Sequence, residues 1–461
     1  MKVSNRRLIV IWFLVFNNII FNSKYSFSYN DRVSAIIHVS SNVSDGEYSI
    51  EEIVYRAKSK GIDVIFFSDH DFVRVEYGLP YLRNILKFCV DKPSVFKFGV
   101  EKYFKVIDEV QSKYPDMFLF PGVECTPYYF WTKKNNTFYL NDSHKHFLIT
   151  NLNEKDLKNL PTVSNINSYK INLLLFWPIV LIIIGIFFIK GIVFKKIGWV
   201  FIFIGFLFLA NNFPFRNVKY TQYSGFVGLS PYQEVIDYVK DKGGLIFWAH
   251  PEAGENVDIP NIVNLGKFNV KTITLPYYED LLNTTNYTGF AIFWEGYEKV
   301  GKIGGIWDKV LLEYCEGKRD RPVWAIGELE YQQEGESGIF IDSIQNIIFV
   351  KNKDKKSIIE SIRNGKMYVL KKGRFNYYPI LEEFSVNSDG INIKVKYSDE
   401  GKRKILINLI KNGILYKNFE EISPIEIKIK DVIIGNGYFR LEIISKEEDS
   451  IIITNPIFVG R

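Results

Sequence analysis

In Ile62-Asp63-Val64-Ile65-Phe66-Phe67-Ser68-Asp69-His70-Asp71, an apolar run from Val64 to Phe67 stops abruptly at four polar residues. A short apolar run bounded in this way suits a strand buried on both faces of a parallel sheet. Upstream, Ser49-Ile50-Glu51-Glu52 has the pattern of a capping box, with serine at the cap and glutamate three positions on. It opens a helix whose apolar positions Ile50, Ile53, Val54 and Ala57 keep a helical period until Gly61 ends it. The unit is therefore helix, glycine, buried strand, then metal-capable groups at the strand's C-terminal edge. In α/β folds that edge carries the chemistry.

The unit recurs. Ser230-Pro231 starts a helix that runs through Val239, Gly243-Gly244 ends it, and Leu245 to Ala249 reads as a strand closing in His250-Pro251-Glu252. A strand over Ser34 to Ile37 ends in His38 and leads to Asp45-Gly46. Another, Met117 to Phe120, runs into Pro121-Gly122-Val123-Glu124, and one over Phe147 to Thr150 begins at His144-Lys145-His146. The chain has only five histidines, 38, 70, 144, 146 and 250, and every one falls at an expected strand end or start.

These residues resemble the PHP (polymerase and histidinol phosphatase) superfamily of metal-dependent hydrolases. The family's His-x-His and Ser-Asp-Gly correspond to His38-Val39-Ser40 and Ser44-Asp45-Gly46, its Thr-Asp-His to Ser68-Asp69-His70, and its Gly-x-Glu to Gly122-Val123-Glu124. A histidine before a short apolar run matches His146, and Ala249-His250-Pro251 is intact. Ile362 to Tyr368 looks like the closing helix and strand. Thr454-Asn455-Pro456-Ile457-Phe458 looks like the tail of the carbamate-hydrolase-like, secreted or membrane-associated branch. The resemblance covers residues 31–160 and 220–370. It implies a metal set of His38, Asp45, His70, Glu124, His146 and His250, with Asp69, His70 and Glu124 at the catalytic centre and Glu124 as bridging carboxylate. Asp69 and Asp71 are candidates for orienting His70, and His144, which shares a strand face with His146, ranks behind it. Nitrogen and oxygen ligation without sulfur favours zinc, manganese or iron, and the ligands that match the family pattern leave one or two divalent ions expected.

The sequence also departs from the pattern. Ser40 stands where the family has a second histidine, and Gly327-Glu328-Leu329-Glu330-Tyr331 lacks the final Asp-x-His. Glu328 or Glu330 is the available substitute. Two functions follow: a metallohydrolase with a reduced ligand set acting on phosphoester, amide or carbamate ester bonds, or a catalytically inactive PHP-like binding or scaffolding module.

Two uncharged apolar runs, Ile171 to Ile189 and Ile197 to Phe213, flank Lys190, Lys195 and Lys196. Runs of about 18 apolar residues are long enough to cross a bilayer, and lysines in the short connection point it to the cytoplasm. Residues 1–30 have a basic start followed by an apolar stretch, the layout of a signal peptide or signal anchor. The expected organisation is thus a leader over 1–30, a first barrel part over 31–165, a transmembrane hairpin over 171–213, a second barrel part over 217–372, and a C-terminal β-sandwich over 375–461. The fold class is α/β: a PHP-type distorted (β/α)7 barrel interrupted by the hairpin and followed by the sandwich. The lipid bilayer is the expected partner, with a multi-pass location and both soluble halves outside the cytoplasm. The sandwich is expected from period-two stretches such as Ile391 to Tyr397 and Ile425 to Lys430.

A net charge of +6 with dispersed lysines leaves no clustered nucleic-acid footprint. Three cysteines without C-x-x-C spacing form neither a disulfide framework nor a thiolate metal site.

Overall fold

The capping box forms as read. In a computed structural model of the chain, which describes residues 25–26, 31–191, 194–258, 269–430, 432 and 435–460, the Ser49 side chain accepts from the Glu52 backbone N–H at 3.3 Å. The Glu52 carboxylate accepts from the Ser49 N–H at 2.8 Å. The helix Ile50–Ser59 buries Ile50, Ile53, Val54 and Ala57. Gly61, at φ 75°, turns the chain into the fully buried strand Val64–Phe67. The second unit repeats the order of helix, glycine and strand with Ser230–Asp241, Gly243 at φ 73° and Leu245–Trp248, but without a side-chain cap, since Leu229 stands at the N-cap.

The architecture is mixed α/β with many strands in the C-terminal region. A six-stranded sheet has the order Trp324–Gly327, Gly289–Phe293, Leu245–Trp248, Phe147–Thr150, Gly122–Cys125, Asp69–His70. Phe147–Thr150 runs antiparallel to both its neighbours, and the remaining pairs in this sheet are parallel. A ten-stranded sheet contains Phe118–Phe120, Val64–Phe67, Asp31–Val39, Ile344–Val350 and Met367–Lys371, then continues without a break into Ser450–Thr454, Gly437–Ser445, Lys404–Lys411 and Ile414–Ile422. The two sheets meet at Ser68, where Val64–Phe67 passes into Asp69–His70, and again where Val39 bridges Tyr331. Between them lies a core that includes Phe66, Leu148, Phe247 and Ile326. Helices cover the outside, burying Ile53, Ile107 and Val235 against the strands.

Beyond residue 375, the strands Pro379–Asn387, Gly390–Tyr397 and Ile425–Ile429 form a separate sheet. It shares a core of Leu381, Phe384, Val395, Ile407 and Leu441 with the far half of the ten-stranded sheet.

Among the described residues one helix, Lys195–Asn212, is long and apolar enough to cross a membrane by length and composition; the apolar helix before it, Leu173–Ile189, is shorter. Its regular α-helical part, Pro178–Ile189, packs on Lys195–Asn212 through glycine. A Cβ at Gly198 would come within 2.6 Å of the Gly185 carbonyl oxygen, and one at Gly205 within 3.0 Å of that of Pro178. The outward faces carry exposed Ile183, Phe187, Trp199 and Phe203. The expected leader over 1–30 lies outside the described residues except for Tyr25–Ser26, which pairs with Val386 and Ser385.

Candidate metal centre

One edge of the six-stranded sheet collects the site. His70 and Glu124 are register partners on adjacent parallel strands, so their side chains leave the sheet side by side. His250 follows the end of Leu245–Trp248, and Glu328 follows the end of Trp324–Gly327. His146 precedes its strand because Phe147–Thr150 runs in the opposite direction, which brings its N-terminal end to the same edge. His38 arrives from the other sheet. The ladder between Asp31–Val39 and Val64–Phe67 pairs Ile37 with Phe66 and Val39 with Phe67, leaving His38 as an extra residue. Its φ of 68° is left-handed, and such a bulge re-aims a side chain at a strand end.

Glu124 sits at the centre. Its Oε2 lies 3.1 Å from His38 Nε2 and 3.4 Å from His70 Nδ1. Its Oε1 lies 2.5 Å from His146 Nδ1 and 3.9 Å from His250 Nε2. Glu328 forms a second anchor. It accepts from the His250 backbone N–H at 3.2 Å, and its carboxylate stands 3.1 Å from His250 Nδ1 and 3.4 Å from His38 Nδ1. Asp45 closes the open side, with Oδ2 3.3 Å from His70 Nε2 and accepting from Gln332 Nε2 at 2.8 Å. All six residues of the metal set read from the sequence are brought together here.

His144 joins them. Its ring centroid is 4.9 Å from those of both His146 and His250. One nitrogen each from His144, His146 and His250 lies within 4.8 Å of the others, and so do ligand atoms of His38, His250 and Glu328. Of the two glutamates offered as substitutes, Glu328 is the one bonded into the cluster. The signal for it was its place directly after a strand, the same signal that singles out His250. The neighbouring Leu329 and Tyr331 are fully buried, and Tyr331 turns its hydroxyl to Glu334 at 2.8 Å.

Asp69 occupies a different position. It is fully buried and accepts from the Ser41 backbone N–H at 2.8 Å, from the Ser41 hydroxyl at 2.9 Å and from the Ser44 hydroxyl at 2.8 Å. It thereby fixes the loop that presents Asp45. Asp71 accepts from the Phe72 N–H at 2.7 Å, and burial raises its pKa to about 7. Cys125, beside Glu124, is fully buried, and burial pushes its thiol well up.

The electrostatics follow from carboxylates and imidazoles sharing a dry space. Burial alone would raise the pKa of Glu124, but His146, His38 and His70 hold it well below the carboxylate range. Burial likewise opposes charge on Glu328, yet His250 and His38 bring it down to about 2. Burial works to lower His70, while Glu124 and Asp45 outweigh it and lift the imidazole to about 9. His144 faces burial and two neighbouring imidazoles, and falls to about 3.

The donor set fits a divalent cation. His38 Nδ1, His146 Nδ1 and His250 Nε2 are buried and make no well-directed hydrogen bond, although each faces a carboxylate oxygen, and unsatisfied buried polar atoms are rare and costly. Three such imidazole nitrogens ringed around two ionised carboxylates are what a cation bound by nitrogen and oxygen would satisfy.

Residues 37–171 match the PHP domain family. That segment contains His38, Asp45, His70, Glu124, His144 and His146. Among solved structures, the chain is similar to a two-domain protein from Bacteroides vulgatus containing a predicted PHP-like metal-dependent phosphoesterase, with 12% identity, a TM-score of 0.35, and coverage of 92% of this chain and 91% of that one. It is also similar to a putative metal-dependent phosphoesterase from Bifidobacterium adolescentis, with 12% identity, a TM-score of 0.29, and coverage of 71% and 95%. A third is an amidohydrolase from Chromobacterium violaceum with bound sulfate and no metal, with 12% identity, a TM-score of 0.27, and coverage of 66% and 88%. No curated protein matches significantly.

Proposed function

We propose that the chain is a membrane-held, metal-dependent hydrolase of a phosphoester, amide or carbamate ester bond. The observation that carries this reading is the set of buried nitrogens with no well-directed hydrogen bond, His38 Nδ1, His146 Nδ1 and His250 Nε2, facing the carboxylates of Glu124 and Glu328. The match to the PHP domain over residues 37–171 supports it. On this reading the two joined sheets are the distorted barrel expected from the sequence, the strands beyond 375 its sandwich, and the metal set is reduced to one or two ions.

His38, His70, His146 and His250, with Glu124, Glu328 and Asp45, would hold the metal. A bound divalent cation supplies Lewis acidity and lowers the pKa of a coordinated water. Glu124 shares its two oxygens among four imidazoles and fixes their spacing. Glu328 takes over the acidic role left by the missing Asp-x-His, gripping His250 through both its backbone and its ring. His70 and Asp45 are the more exposed members, so they mark the side of the cluster that opens to substrate and solvent. Asp69 acts on catalysis at one remove, through the loop carrying Asp45.

The helix pair would lie in the bilayer. The 18 residues of Lys195–Asn212 span about 27 Å at 1.5 Å per residue, close to the hydrocarbon thickness, and its outward aromatic residues are exposed.

The test is the metal content and turnover of detergent-purified full-length protein supplemented with zinc, manganese or iron. Stoichiometric metal and cleavage of a chromogenic phosphoester, amide or carbamate, both lost in His70→Ala and Glu124→Ala, are expected. No bound metal under any supplementation overturns the hydrolase and leaves the binding module.

A further inference from the structure

Between the Arg74–Gly78 and Lys87–Asp91 arm and the far end of the Lys195–Asn212 helix lies a cavity of about 680 Å3. The arm is tied to the helix end. The Asn84 N–H donates to Asn211 Oδ1 at 3.1 Å, Asn84 Nδ2 donates to the Asn211 carbonyl at 2.6 Å, and Asn211 Nδ2 donates to the Tyr81 carbonyl at 3.2 Å. Arg83 and Arg216 both line the space. The Arg83 guanidinium stacks 3.7 Å over the Tyr223 ring. Arg216 donates through Nη1 to the Tyr169 carbonyl, while its Nε is buried without a partner. Neither guanidinium pairs with a carboxylate among the described residues. Glu76 also lines the cavity, but its carboxylate is already held by Arg74 at 3.1 Å, Lys87 at 2.8 Å and Gln222 Nε2 at 3.1 Å. The cavity is therefore cationic, with an N–H that lacks an acceptor.

Apolar side chains are exposed along the segments that form the cavity. Tyr81 and Phe213 line it, and their chain neighbours Leu79, Ile85 and Leu86 on the arm, with Leu173 and Leu174 beside the lining Leu175, are exposed too; Tyr81 reaches 86% and Leu174 80%. Apolar side chains surrounding a pair of arginines at the mouth of a membrane helix match the depth order of a bilayer, acyl boundary outside and phosphate level within. Guanidinium groups suit phosphate oxygens because their N–H groups form a planar fork.

We propose that this cavity binds the phosphate of an anionic membrane lipid, with Arg83 and Arg216 as its recognition groups. The proposal rests on the reading of the helix pair as bilayer-embedded, and it is independent of the metal centre.

The test uses full-length protein in phosphatidylcholine nanodiscs with and without phosphatidylglycerol, followed by native mass spectrometry of retained lipid. Wild type should retain phosphatidylglycerol several-fold over phosphatidylcholine, and inorganic phosphate should not displace it. Arg83→Gln should lower that retention several-fold. Asn217→Asp, which adds a negative charge on the lining without removing a side-chain bond, should do the same and guards against a folding artefact. Equal retention in wild type and both variants overturns the site. Arginine-dependent binding of inorganic phosphate with no lipid preference overturns the lipid as its source. Protein left in the supernatant after membrane sedimentation overturns the bilayer reading and, with it, the lipid ligand, whereas membrane-bound protein without lipid preference overturns the lipid ligand alone.

Discussion

Glu124 Oε2 lies 3.1 Å from His38 Nε2 although the two residues belong to different sheets. The contact exists because His38 is the extra residue of a bulge and Glu124 lies near the end of Gly122–Cys125, in register with His70 on the parallel strand beside it, so each is aimed at the same rim. Glu124→Gln removes the charge that all four imidazoles share. Metal affinity should fall by at least about 10–100-fold, the range seen when groups supporting a metal site are lost. Elemental analysis after dialysis reads the loss, and unchanged far-ultraviolet circular dichroism shows that folding is retained.

Glu328 and Glu330 make a paired comparison. Glu328→Gln weakens the grip on His250 and His38 and should cost metal stoichiometry, whereas Glu330→Gln should leave stoichiometric metal bound. Equal effects of the two substitutions in the same elemental assay would remove Glu328 from the ligand set.

Asp69→Ala strands the Ser41 N–H and two serine hydroxyls in a buried position. Each unsatisfied group costs about 1–3 kcal/mol, so the midpoint of urea unfolding should drop clearly. Because that loop carries Asp45, turnover and bound metal should fall together, read by an activity assay beside elemental analysis.

Gly198→Leu tests the helix pair. Even a Cβ there would meet the Gly185 carbonyl oxygen at 2.6 Å, so the helices must separate and thermal stability in detergent should fall. Gly191→Ala is the control, since its Cβ would come no nearer than 3.7 Å to the Phe188 carbonyl oxygen.

A further prediction concerns a link between distant parts of the chain. Arg440 and Asp308 form a buried ion pair at 2.7 Å, and the same aspartate accepts from the Tyr438 hydroxyl at 2.7 Å. Asp308→Asn leaves a buried guanidinium short of its counter-charge and should destabilise the protein by about 3–5 kcal/mol. Replacing both residues by apolar ones of similar size should recover much of that loss, read by chemical denaturation of the two variants.

The rim residues were legible because strand ends can be read from abrupt changes in hydropathy, and each histidine stood at such a change. His146 was legible as a strand start, but only the antiparallel course of Phe147–Thr150 explains why a start serves as well as an end. The bulge at His38 left no mark, since it depends on register between two strands and not on composition. Asp69 was read as catalytic through its place beside His70. Successive strand residues face opposite sides, and its bonds to Ser41 and Ser44 follow from that alternation. The Arg440–Asp308 pair was invisible for another reason: 132 positions separate its partners, and either residue alone looks like ordinary surface charge.

The unbroken ladder from Met367–Lys371 into Ser450–Thr454 has a practical consequence for anyone trimming the gene. A stop codon after residue 375 would not release an independent front half. It would strip a hydrogen-bonded neighbour from a buried strand and bare an apolar edge ready to pair with other chains, so the shortened product should collect in inclusion bodies.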